Sequence, residues 1–145
     1  MKQKFWIQPK KKDELLIAMM NELAGDCSHI AFEGSELEIK TLDFRETPSM
    51  STGHITPFEH QWGQNGYMVV VPMSRQAVNK ILKVILPDDI FIHKIGAIQI
   101  ERNGQVEFLV GDNFHHECIS AGPAITIKFL EVLKQKNIIA EYRVQ

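Results

Sequence analysis

Two hydrophobic periods alternate along this chain. Residues 4–8, KFWIQ, read as a short strand punctuated by Pro9. Leu15, Leu16, Met19, Met20 and Leu23 then recur at helical spacing, with Gly25 placed to end that helix. Residues 29–42 read as a hairpin broken at Gly34 and Ser35. In its second arm Glu36, Glu38 and Lys40 alternate with Leu37 and Ile39. Residues 43–65 contain two prolines, two glycines and no sustained period, which predicts a long loop. Residues 66–73, GYMVVVPM, predict a buried strand. Ser74 follows as an N-cap, with Ala77, Val78, Ile81, Leu82 and Ile85 on one helical face and Pro87 as a stop. Asn103-Gly104 supplies the positive φ values of a tight turn, so residues 93–112 predict a hairpin pairing Ile98–Ile100 with Val106–Phe108. Pro123 opens a last helix with Ile125, Phe129, Val132 and Leu133 as its stripe, and residues 138–144 close as a strand.

Strands here follow one another through hairpins as well as through helices. The pattern predicts an α+β fold, a mixed and largely antiparallel sheet with about three helices packed on one face. No internal repeat or linker divides the chain, so residues 1–145 are expected to form a single α+β domain. That length buries enough surface to need no staple.

Charge changes the picture by its distribution, since the net value is only −2. Residues 2–12 carry five lysines and no acid, while residues 13–59 carry ten acids against Lys40 and Arg45. A short basic cluster beside an acidic third of the chain is not the footprint of a nucleic-acid binder, and no nucleic-acid partner is expected. The apolar part of the N-terminus is Phe5, Trp6 and Ile7, too short for a signal peptide, and no run of about 18 apolar residues predicts a spanning helix. Cys27 and Cys118 stand far apart, which fits a reducing compartment. These features together predict a soluble, cytoplasmic protein with no membrane partner.

Chemistry-bearing residues gather in three places. Residues 111–120, GDNFHHECIS, hold two adjacent histidines, two acids and Cys118. Cys27, His29, His116 and Cys118 have the right chemistry for zinc but an unusual spacing. Cys118 with His115 or His116 as base, and Asp112 or Glu117 as orienter, would make a nucleophile. The better reading is a strand-to-helix loop with Phe114 and Cys118 turned to the core. The second place is GHITPFEHQW, where His54, Glu59 and His60 accompany Phe58 and Trp62; these aromatics either pin the loop or anchor a partner. The third is the acidic hairpin and its continuation, Glu33, Glu36, Glu38, Asp43 and Glu46, which either present a field to a basic partner or form a merely solvated face.

No GxGxxG, GxxxxGK[ST], HExxH or GxSxG spacing occurs. The expectation is therefore a binding or regulatory protein without a cofactor. It would act on another protein, a basic one where the acidic segment sets the choice, as immunity proteins and antitoxins do, through Glu36, Glu38, Glu46, Phe58 and Trp62. The alternative is a small enzyme using histidine with cysteine or a carboxylate, with or without a metal.

Overall fold

In a computed structural model the described residues are 3–35, 42, 54–59, 65–86, 96–111 and 119–145, with 54–59 and 65–68 described at the level of the backbone. The strands are β1 (Phe5–Pro9), β2 (Ser28–Gly34), β3 (His54–Glu59), β4 (Asn65–Pro72), β5 (Ala97–Arg102), β6 (Gln105–Val110), β7 (Ile119–Ala121) and β8 (Ile139–Val144). Three helices separate them: α1 (Lys12–Leu23), α2 (Val78–Ile85) and α3 (Ile127–Gln135). All eight strands join one sheet in the order β3-β4-β2-β5-β6-β7-β1-β8. Every neighbouring pair is antiparallel. The fold is α+β, as the pattern predicts, and the sheet is antiparallel throughout its described pairings.

The sheet order splits into two halves of one plan, β3-β4-β2-β5 and β6-β7-β1-β8. In each half two consecutive antiparallel strands lie beside a central strand that precedes them in the chain. A helix then crosses that central strand to the last one, α2 from β4 to β5 and α3 from β7 to β8. Alternate strands of an antiparallel sheet point the same way, so both crossovers are split β-α-β units. α1 carries the chain from β1 in one half to β2 in the other, where it packs on β5 and α2.

Period two explains which face is buried. Val71, Ile30, Ile100, Phe108, Ala121 and Phe5 are successive cross-strand partners, one from each of six strands. All are nearly inaccessible and belong to one apolar cluster with Leu15, Leu16, Met19, Met20 and Leu23 of α1, Ile81 of α2 and Leu130 and Leu133 of α3. Burial of a side chain of this size stabilises by about 1.5–3 kcal/mol, so this inner face holds the sheet to its helices.

Several details differ from the pattern's prediction. Residues 54–59, expected in a loop, form β3. Pro57 hid it, because proline cannot donate to a ladder; β3 is an end strand and pairs only with β4 among the described residues. Residues 119–121, expected in a strand-to-helix loop, form β7 between β6 and β1. Gly25 does not cap α1 in a left-handed conformation. Ala24 ends the helix in extended backbone, and the Gly25 N–H donates to the Met73 carbonyl at 3.0 Å. Ser74 lies in a turn before α2, whose N-cap is Ala77 with no side-chain bond. Pro123 stands in a Gly122–Ile125 turn, closed by Ile125 N–H to the Gly122 carbonyl at 3.1 Å. α3 starts later, with the Thr126 hydroxyl accepting from Phe129 N–H at 3.1 Å. Val132, expected in the buried stripe, is exposed, and Leu130 takes that place. The second arm of the predicted 29–42 hairpin lies outside the described residues, apart from buried Leu42.

Candidate functional site

The outer face of the sheet, away from the helices, is organised by the same register. Val70, Ala31, Gln99, Leu109, Ser120, Trp6 and Arg143 are successive cross-strand partners on seven strands. At about 4.8 Å per strand this row spans roughly 29 Å. It is uncharged until Arg143. Leu109 and Trp6 are 37% and 36% exposed and stand on either side of Ser120. Ser120 sets a small side chain between these two large ones on β7.

Arg143 closes the row by stacking on Trp6, its guanidinium carbon 5.0 Å from the ring centroid. Both are exposed and directly opposed on β1 and β8. Such a contact is worth about 0.5–1 kcal/mol at an exposed site, and it holds a flat aromatic–cation pair in one orientation. A neighbouring row is polar. His29 is exposed and lies opposite Glu101, whose carboxylate accepts from the Gln99 amide at 2.8 Å.

At the outer edge Glu141 accepts from Lys134 Nζ at 3.2 Å and from the Tyr142 N–H at 3.3 Å. The Lys134 hydrogen bond, then the Tyr142 amide, hold its carboxyl below the usual range. The Tyr142 hydroxyl donates to Glu131 at 2.5 Å, and this bond raises the phenol above its ordinary value.

The residues singled out from sequence are distributed as follows. Cys27 is exposed in the turn before β2, and His29 is exposed on β2. Among the described residues no three His, Cys, Asp or Glu side chains are grouped to hold a metal ion. His116 and Cys118 lie outside the described residues, as do Glu36, Glu38, Glu46 and Trp62. Phe58 is in β3, its backbone opposite Gly66. Among the described residues no helix is long and apolar enough to cross a membrane.

Sequence reading missed two features. Trp6 and Arg143 are 137 positions apart, and only the β1–β8 register joins them; the alternation in KFWIQ was the available signal. Glu107 is 3% exposed although it is an acid. The β5–β6 ladder pairs Ile100 with Phe108 and Glu101 with Val106, so Glu107 is the extra residue of a β-bulge. Its carboxyl accepts from the Ala124 N–H at 2.5 Å and its carbonyl from the Gly122 N–H at 2.8 Å. Glu107 thus ties the strand bulge to the turn that launches α3. Comparison with family models, with curated proteins and with solved structures gave no match.

Proposed function

We propose that this chain acts by binding another protein, in the manner of a small inhibitor or immunity-type protein, and that the outer-face row is a principal contact surface. The observation that carries the proposal is the exposed Trp6–Arg143 stack beside Leu109 on a rigid sheet. Tryptophan and arginine are the side chains that most often dominate interface energetics, and rigid backbone support lowers the entropy lost on binding. The acid-rich segment 13–59, with Glu36, Glu38 and Glu46, belongs to the same proposal as the source of a field toward a basic partner. Phe58 and Trp62 remain its second aromatic pair.

A photo-cross-linking residue in place of Gln8, exposed on the same strand face as Trp6, tests this directly. Adducts formed in the native host should be dominated by one protein, and the same adduct should be lost in Trp6→Ala. With that partner purified, Trp6→Ala should mainly speed dissociation. Glu36→Lys with Glu38→Lys should mainly slow association, with an effect that fades as salt screens exposed charge. An adduct that persists unchanged in Trp6→Ala would sink the outer-face reading.

A further inference from the structure

β8 ends the sheet, and its outward side has the features of a self-complementary seam. The Gln145 N–H donates to the Lys4 carbonyl at 2.9 Å, so residues 145, 143 and 141 turn their backbone groups toward β1. Tyr142 and Val144 therefore turn theirs outward, since these directions alternate along a strand. The outward Tyr142 N–H is met by its own neighbour's side chain, Glu141, at 3.3 Å. Among the described residues no strand pairs with this side of β8.

Three observations say what fits there. Glu141 and Arg143 flank Tyr142 on the outer face, both exposed. An antiparallel copy of β8 centred on Tyr142 sets Glu141 opposite Arg143 of the second copy, and Arg143 opposite its Glu141. The pairing is satisfied twice, by symmetry. The same centre makes Tyr142 a hydrogen-bonded pair with itself, each N–H meeting the other carbonyl, as its outward-facing backbone requires. Finally, the two most exposed large apolar side chains described are Val144 at 56% and Ile127 at 47%. Val144 is on this strand. Ile127 lies one turn before Glu131 and two before Lys134, the two α3 residues that reach Tyr142 and Glu141, so the same helical stripe overhangs the edge.

We infer that β8 is the seam of a two-fold homodimer, in which a second copy of this chain adds antiparallel through Tyr142 and joins the two eight-stranded sheets into one. Glu141 exchanges its bond to the Tyr142 amide for the partner's Arg143, and the freed amide bonds across the seam. α3 packs against β8, where Glu131 and Lys134 reach Tyr142 and Glu141. The seam shares Arg143 with the outer-face row, and its test reads self-association alone, so the failure of one reading is distinguishable from the failure of the other.

Sedimentation of the full chain over a concentration series tests it. The wild-type chain should form a dimer. Glu141→Arg and Arg143→Glu should each sediment as monomers, because each sets like charges opposite one another twice. Mixed in equal amounts, the two variants should recover the dimer, since the mixed pair restores opposite charges at both positions. Hydrogen exchange at the Tyr142 and Val144 amides should slow in the wild-type dimer and in the mixture. Should a charge reversal unfold the chain, as circular dichroism would reveal, Val144→Lys is the second disruptor and should also yield monomer. A wild-type chain that stays monomeric throughout overturns the inference. So do folded variants that dimerise as well as wild type, which would place the seam elsewhere.

Discussion

Glu107 shows how one side chain fixes a junction. Its carboxyl is buried and committed to the Ala124 N–H, and its carbonyl holds Gly122. Removing the carboxyl strands a donor away from water, which costs about 1–3 kcal/mol. Glu107→Ala should therefore lower stability by about that amount in urea unfolding. Glu107→Gln, which retains an acceptor oxygen, should lose less. The same junction explains Gly122. A Cβ there would stand 2.7 Å from the Val106 carbonyl oxygen, a backbone atom with little freedom to retreat. Gly122→Ala should destabilise more than an ordinary surface substitution, and its thermal midpoint should fall accordingly. The Trp6 site gives a spectroscopic counterpart. In a Trp62→Phe background the remaining emission should be readily quenched by acrylamide, as befits a ring 36% exposed beside Arg143; a blue-shifted, protected signal would contradict the exposed stack.

α3 has both of its ends specified by local chemistry. Thr126 caps its first turn, and Thr126→Ala should cost about 0.5–2 kcal/mol. At its other end Asn137 adopts φ 60°. The Ile138 N–H reaches back to the Leu133 carbonyl, and the Asn137 N–H to that of Lys134, a complete Schellman motif with Leu133 and Ile138 buried together. Asn137→Gly should stabilise by up to about 1 kcal/mol and Asn137→Ala should destabilise, as equilibrium unfolding would show. Lys134 in the last turn lowers the Glu141 pKa, so Lys134→Ala should move that carboxyl back toward its ordinary value in an NMR titration. The sign of the linkage follows from that direction. A depressed carboxylate contributes stability above its unfolded pKa and loses it as pH falls through the folded one, and Lys134→Ala should flatten this acid limb slightly. These elements also show what the sequence makes legible. The Asn103-Gly104 hairpin was readable because φ values of 55° and 77° are a demand few residue pairs meet. The stripe of α1 was readable because five buried residues keep one period. β3 and β7 were not. One carries a proline that only an end strand tolerates, and the other is three residues long and borrows its alternation from β6 and β1. The outer-face row was illegible for a different reason: its members come from seven strands, and no local period connects Leu109 to Trp6.

At the scale of the molecule, the repeated plan of the two half-sheets is a property of topology rather than of residue pattern. No sequence repeat accompanies it. The half containing β6, β7, β1 and β8 is assembled from both ends of the described chain, whereas β2, β3, β4 and β5 run consecutively. What closes the β6-β7-β1-β8 half is the β1–β8 ladder, which ends with the Gln145 N–H bonded to the Lys4 carbonyl at 2.9 Å. Residues 3 and 145 are therefore close enough to be joined by a short flexible linker without stretching the sheet. A circular permutant opened between Asn103 and Gly104 makes each half continuous: β6-β7-α3-β8-linker-β1, then α1, then β2-β3-β4-α2-β5. The cut costs one two-residue turn at exposed positions, and the cluster uniting both halves is untouched. If side-chain packing on the inner face specifies the sheet order, the permutant should fold to the same near-ultraviolet and far-ultraviolet dichroism. Its stability should fall chiefly by the entropy of re-pairing β5 with β6 through a longer path, a term that grows only logarithmically with loop length. A permutant that stays unfolded would mean that the Asn-Gly hairpin is a prerequisite for assembling the two halves, and that the shared apolar rows are not sufficient to align them.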